Sequence, residues 1–343
     1  MAWATPDYSR EQVNNAGRAF IDPSASVGER ESARTIVTNW RSAHGFPLNT
    51  FQMGLRRRAA RFDNDATVAQ RIKRLPSIRL KLGRLGGMDL SRMHDVGGCR
   101  AVLASADAVE QLTGYYLGDK RAKHVFVKDY PYIASPAPSG YRSVHLVYRY
   151  RSDANPAWNN LRIEIQLRSR PQHAWATAVE TVDTFTSQQL KSGQGRKDWL
   201  RFFALMSSAL ARREGTPLVP GTPAAPTDLA VELRKYAKKL DVVERLDAYG
   251  KALQFVEQDM ESHKGHTFLL VLDIEAHTLH VRSYDNAAFA AAEYGAYERA
   301  AESQPKQDVV LVNVDSLDAL RRAYPNYFLD TTAFVEYVKE AIE

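Results

Sequence analysis

Polar and apolar residues alternate along two stretches in the middle of the chain. Over 141–150, Val144, Leu146, Tyr148 and Tyr150 fall on one side of an extended backbone. Tyr141, Ser143, His145 and Arg149 fall on the other, with Val147 the apolar exception. Over 161–170, Leu161, Ile163, Ile165 and Leu167 oppose Arg162, Glu164, Gln166 and Arg168. Each pattern predicts a strand with one buried face and one polar face, and the runs at 97–105 and 123–130 read as further strands. Helical spacing predicts helices over 27–44, 48–62, 172–190 and 197–212, and one over 66–84 that is interrupted near Pro76.

Residues 213–227, REGTPLVPGTPAAPT, hold four prolines and two glycines and predict a linker. Beyond it, 228–262 reads as helical, 266–284 as a hairpin, 286–303 as an alanine-rich helix and 308–314 as a strand before two terminal helices. The expected fold class is α+β: a mixed-sheet domain flanked by helices, then a small C-terminal α+β domain. The expected division is 1–215, a connecting region 216–262, and 263–343.

No apolar run approaches the roughly 20 residues of a membrane span, and the N-terminus lacks the basic start and apolar core of a secretory signal. A cytoplasmic protein with no membrane partner is the expectation. A single cysteine, Cys99, excludes a disulfide framework and a multi-cysteine zinc cluster, so no zinc is expected. The net charge of +6 is concentrated: 56–84 holds ten Lys/Arg against Asp63 and Asp65. Such a cluster fits a polyanion, either nucleotide phosphates or nucleic acid.

Three features suggest where chemistry sits. Arg71, Lys73, Arg79 and Lys81 surround a helix start, where cations and free N–H groups gather phosphates. Asp95 precedes the strand that carries Arg100. Glu164 lies mid-strand on a polar face. Two carboxylates among many cations is the composition of a magnesium–triphosphate site.

The segments RIKRLPSIRLK (71–81), MHDVGGCR (93–100), SGYRSVHLVY (139–148), IEIQLRS (163–169) and QHAWATAVE (172–180) follow one another in an order and spacing that resembles the synthetase domain of RelA/SpoT alarmone synthetases. The resemblance covers about 65–215. It implies a nucleotidyltransferase-like fold and transfer of pyrophosphate from ATP to a ribose 3′-hydroxyl, usually of GDP or GTP, leaving AMP. Carried over, Arg71, Lys73, Ser77, Lys81 and Arg100 resemble ATP-binding positions. Asp95 is similar to the family's magnesium aspartate. Glu164 is similar to the glutamate that shares the metal and activates the attacking hydroxyl. Tyr141 resembles the tyrosine that stacks on the acceptor base, with His145, Gln166 and His173 at acceptor-side positions. Long family members add a hydrolase with a His-Asp pair; His94-Asp95 is such a dipeptide, but 1–90 contains only His44, so the resemblance implies a synthetase alone. Where the family commonly has a lysine that contacts the acceptor's phosphates, this chain has Ala137, which puts a guanosine acceptor in question.

Tyr324 and Tyr327 flank Pro325 near the C-terminus. A Tyr-x-x-Tyr in that place resembles CapRel proteins, fused toxin–antitoxins of phage defence whose C-terminal pseudo-zinc-finger domain lacks metal cysteines. That resemblance implies a tyrosine pair covering the adenine pocket, the 3′-CCA end of tRNA as acceptor, and a phage protein as trigger at the C-terminal domain.

Overall fold

The computed structural model describes residues 3–119, 123–186, 188, 190, 193–258, 267–301, 307–314 and 316–343. Parts of the stretches expected at 172–190, 228–262, 266–284 and 286–303, and the start of the expected 263–343 domain, lie outside the described residues.

Helix α1 (Arg10–Ile21), which the hydrophobic pattern did not predict, opens with a reciprocal cap. The Ser9 hydroxyl accepts from the Gln12 N–H, and the Gln12 side chain accepts from Ser9 N–H. Ser26 and Glu29 repeat the device at α2 (Val27–Ala43). Helix α3 (Gly45–Ala59) follows at once, and where a helix was expected over 66–84 the chain instead forms strand β1 (Thr67–Ile72). The strand wins because both its edges are paired, so tertiary hydrogen bonding overrides local propensity. Pro76 then starts α4 (Leu75–Arg84) rather than interrupting a helix, since a proline in the first turn gives up no helical N–H bond.

Strand β2 (Gly97–Leu103), the unpredicted helix α5 (Ala106–Gly118), and strands β3 (Val125–Pro131), β4 (Val144–Arg149) and β5 (Arg162–Ser169) come next, before α6 (Arg170–Thr186) and α7 (Lys197–Arg213). Leu146, Ile163, Ile165 and Leu167 on the rear face of the sheet pack against Leu48, Phe51 and Leu55 of α3 and Val109 and Leu112 of α5. Each buried side chain of this size stabilises the fold by roughly 1.5–3 kcal/mol, which pins the register and sends the intervening polar residues to the front.

After the proline-rich connection, α8 (Pro226–Leu240) and α9 (Val242–Ala252) are separated by Asp241 in the left-handed region, φ 48°. Strand β6 (Gln254–Gln258) occupies the end of a stretch expected to be helical. A hairpin of β7 (Thr267–Asp273) and β8 (Thr278–Tyr284) precedes α10 (Ala287–Ala301), β9 (Gln307–Asn313), α11 (Leu317–Ala323) and α12 (Thr332–Ile342). Among the described residues all nine strands form one mixed sheet, ordered β3-β4-β5-β2-β1-β9-β7-β8-β6. Only β2–β5 and β6–β8 are parallel. The C-terminal strands join through β9, which pairs with β1 at Gln70↔Asn313 and Arg71↔Val312. A buried ion pair reinforces that junction: Arg41 of α2 meets Glu298 of α10 at 2.8 Å, and the same carboxylate accepts from the Leu75 N–H at the start of α4. The fold class is α+β, as expected.

Candidate active site

The strand register lays two rows of residues across the front of the sheet. One row runs Tyr130, His145, Gln166, Arg100, Ala69; the next runs Lys128, Val147, Glu164, Gly98, Arg71. Cross-strand neighbours lie about 5 Å apart, so residues far apart in sequence become one surface. Gly98, between Glu164 and Arg71, contributes no side chain, and Ala69 beside Arg100 contributes a methyl. The floor between the glutamate and the arginines is therefore low.

Asp95 enters from the loop before β2. Its two carboxylate oxygens each accept from a lysine at 2.9 Å, one from Lys73 after β1 and one from Lys81 on α4. Burial opposes ionisation of Asp95, yet the two ammonium groups outweigh it and hold the carboxyl well below the usual carboxylate range. Burial lowers the pKa of Lys73 even though Asp95 supports its charge. Arg100 is pushed down to about 10 by burial and by the nearby Arg168. Its buried Nε has no hydrogen-bond partner among the described residues.

Glu164 is held at both oxygens. His145 Nδ1 lies 3.1 Å from Oε1, and Gln166 Nε2 donates to Oε2 at 2.6 Å. Burial raises the Glu164 carboxyl, but His145 outweighs it and the net shift is downward. Burial likewise opposes charge on His145, while Tyr141 and Glu164 push it up to about 9. The network closes through Arg168, fully buried, whose Nη2 donates to the Tyr141 hydroxyl at 2.7 Å and reaches Gln166 Oε1 at 3.4 Å. Since arginine only donates, the Gln166 amide must turn its oxygen to Arg168 and its nitrogen to Glu164. Sequence reading left Arg168 without a role, although it is the next member of the alternating polar face.

Asp95, Glu164, Arg71, Lys73, Arg100 and Gln166 thus line one cavity of about 40 Å³, together with Tyr324 from the C-terminal segment. Lys81 and His145 touch its carboxylates. Tyr324, 3% exposed, donates to the Gln70 carbonyl at 3.1 Å and lies under the Arg100 guanidinium, 5.8 Å from the ring centre. Arg100 Nη1 reaches the Ala323 carbonyl, and His173 Nε2 lies 3.1 Å from the Arg322 carbonyl. His173 therefore contacts the C-terminal segment and is outside the cavity wall. Burial, with Arg100 and Arg168 nearby, brings it down to about 3. Tyr327 is buried beside Tyr324 with its ring centre 6.3 Å away. Ser77 sits half-buried in the first turn of α4, away from the cavity lining.

Tyr141 precedes β4 and is 8% exposed, its ring edge-on to Trp175 and its hydroxyl 2.8 Å from His145 Nε2. Gly140 permits this approach: it has φ 91°, and a Cβ there would meet Ser207, Phe203 and Trp175 at 2.9–3.0 Å. Ala137 packs against the same apolar cluster. The partly buried rings of Tyr130 and Tyr132 near His145 were not singled out from the sequence, where two tyrosines among sixteen carry no pattern.

Known proteins resemble this region. Residues 70–185 match the family described as the region found in RelA/SpoT proteins. Two proteins from Bacillus subtilis (strain 168) are similar to part of the chain. GTP pyrophosphokinase YwaC is 29% identical over 117 residues, covering 33% of this chain and 55% of that protein. GTP pyrophosphokinase YjbM is 30% identical over 118 residues, covering 34% and 55%. The chain spans about half the length of these curated relatives. Among solved structures, small alarmone synthetase 1 of Bacillus subtilis bound to its product pppGpp superposes with a TM-score of 0.42 at 22% identity, over 54% of this chain and 94% of that one. What the chain shares with the RelA/SpoT proteins is thus the match of residues 70–185 to the region found in them.

Proposed function

We propose that the chain is an ATP-dependent pyrophosphokinase that moves the β,γ-pyrophosphate of ATP to a ribose 3′-hydroxyl. One observation carries this reading: two differently held carboxylates, Asp95 and Glu164, share a cavity with Arg71, Lys73 and Arg100. The residues fit magnesium triphosphate, because two carboxylate donors and an unpartnered Arg100 Nε suit a hard cation and an anion together. Asp95 and Glu164 would hold magnesium, which when bound offsets charge on the phosphate oxygens. The lysines and arginines bind and orient the triphosphate. Glu164, fixed by His145 and Gln166, orients the acceptor hydroxyl and takes its proton as oxygen attacks the β-phosphorus and AMP leaves.

The favoured acceptor is the 3′-CCA end of tRNA, which would make the enzyme a translation-blocking toxin of phage defence. Ala137 in place of an acceptor-side lysine supports it, as does the cationic stretch 56–84. The C-terminal segment would act as the inhibitor. With Tyr324 in the wall, the cavity of about 40 Å³ is far smaller than the roughly 300–1,000 Å³ of small-ligand sites, so Tyr324 and Tyr327 would have to leave before ATP enters. A partner such as a phage protein acting at the C-terminal strands would be the trigger. The names of the two relatives favour a second reading, a GDP or GTP acceptor with the same C-terminal regulation.

ATP labelled in its β- or γ-phosphate, incubated separately with GDP, GTP and bulk deacylated tRNA, decides between the readings by which species gains label. The proposal expects label on tRNA 3′ ends, and label on guanosine nucleotides alone selects the second reading. No label on any acceptor, with ATP bound, removes both.

A further inference from the structure

The connection at 213–227, expected as a linker, is docked along α7. The Thr216 N–H donates to the Ala211 carbonyl, and the Val219 N–H donates to the Ser208 hydroxyl at 2.9 Å. Arg201 Nη1 donates to the Gly221 carbonyl at 2.8 Å, and the Val219 side chain is buried. Prolines suit such a segment, because they fix φ and need no N–H partner. The connection leads into α8, whose Leu229 and Leu233 share one apolar cluster with Tyr141, Trp175 and Phe334 of α12.

One side chain ties this connection to the loop before β4. Arg142 is 3% exposed, and its guanidinium donates in three directions. Nη2 donates to the Pro217 carbonyl at 2.6 Å, Nη1 to the Ile133 carbonyl at 3.3 Å, and Nε to the Ser207 hydroxyl at 2.8 Å. That hydroxyl in turn donates to the Gly140 carbonyl at 2.7 Å. Arg142 therefore grips both ends of 133–140, directly at Ile133 and through Ser207 at Gly140. Inside the loop, the Gly140 N–H donates to the Ala137 carbonyl and the Ala137 N–H to the Tyr141 carbonyl. The planar fork of a guanidinium can serve several acceptors in fixed directions, which an ammonium cannot. Arg142 does not line the cavity of Asp95 and Glu164. What it holds is its neighbour Tyr141, whose hydroxyl meets His145 and Arg168. We propose that Arg142 is a positioning residue for acceptor binding, which fixes Tyr141 and the loop 133–140 by locking them to Pro217 of the connection. This rests on the pyrophosphokinase reading and makes the connection a working part of the acceptor side.

The test uses the full chain carrying Tyr324→Ala as parent and adds Arg142→Met, Arg142→Lys or Ser207→Ala to it. AMP release is followed against ATP concentration, and against deacylated tRNA and GTP separately. Arg142→Met should raise the KM of the acceptor by about tenfold or more, with the KM of ATP within twofold of the parent. Ser207→Ala removes only the link to Gly140 and should give a smaller rise. Arg142→Lys keeps the charge without the fork and should fall between Arg142→Met and the parent. Because Arg142 acts through Tyr141, Arg142→Met should add nothing to the loss caused by Tyr141→Ala. Hydrogen exchange over 134–141, without nucleotide, should quicken in Arg142→Met and Ser207→Ala while exchange over β2 stays unchanged. The inference is overturned if the KM values of acceptor and ATP rise together, if the losses from Arg142→Met and Tyr141→Ala multiply, or if only the folded fraction falls. If Arg142→Met does not fold, Ser207→Ala decides by the same KM and exchange readouts. Faster exchange in variants of a parent that releases no AMP with any acceptor removes the pyrophosphokinase reading and leaves the grip of Arg142 on the loop. AMP release with acceptor KM and exchange unaltered in the variants does the reverse.

Discussion

The two flanks of Glu164 are built from different materials. On the β1–β2 flank, Arg71, Lys73, Lys81 and Arg100 gather near Asp95, and Tyr324 of the C-terminal segment lines the same cavity. On the β4–β3 flank, aromatic rings lie on a free edge strand. Four partly buried cations there share the carboxylate of Asp95, and the excess of positive charge suits an anionic ligand. Covering that flank and leaving the other open makes the charged substrate, under the proposed function, the one the C-terminal segment competes with.

The largest expected effect breaks the cover. Glu298→Ala leaves Arg41 buried and uncompensated, and the Leu75 N–H without its acceptor. Loss of one partner of such a pair costs about 3–5 kcal/mol, read as a lowered midpoint in thermal or urea unfolding. A change below about 1 kcal/mol would show that the pair does not hold α10 to α2 and α4. Next, Asp95→Asn should lower AMP release from ATP by about 10²–10³-fold while leaving tRNA or GTP binding within twofold, which separates the flanks. Near-wild-type turnover would contradict the role given to Asp95.

A smaller effect concerns both flanks equally. His44 lies behind β2, its Nδ1 2.7 Å from the Trp40 carbonyl, and burial pushes it down from 6.5 to about 4. The fold favours the neutral ring, so this contribution is fully present above pH 6.5 and lost as pH falls toward 4. It amounts to roughly 3 kcal/mol at most. Stability measured from pH 7 to pH 4 should fall less in His44→Gln than in the native chain, and parallel curves would count against it.

The polar faces of β4 and β5 are legible in the sequence because a period of two puts every second residue on one side. That period alone groups Glu164, Gln166 and His145 on one polar surface. Asp95 and the cations at 71–81 are legible as chemistry, although β1 was expected as part of a helix. Its short run TVAQRI acquires its strand character from β2 and β9, and neither pairing leaves a local mark. The Arg41–Glu298 pair joins residues 257 positions apart and has no sequence signal at all. Tyr141 shows a different gap. Its place beside the site is readable from the motif, but its burial under Trp175 depends on α6 and α7.

The most direct measurement is AMP release from ATP by the native chain and by Tyr324→Ala, each with tRNA, GDP, GTP or no acceptor. The account predicts AMP only when an acceptor is present, and release about tenfold or more faster in Tyr324→Ala, because removing the ring shifts the chain toward its ATP-accepting state. Equal rates in the two proteins would contradict closure of the donor flank by Tyr324. No AMP from either protein with any acceptor, while ATP binds, would contradict the chemistry assigned to Asp95 and Glu164.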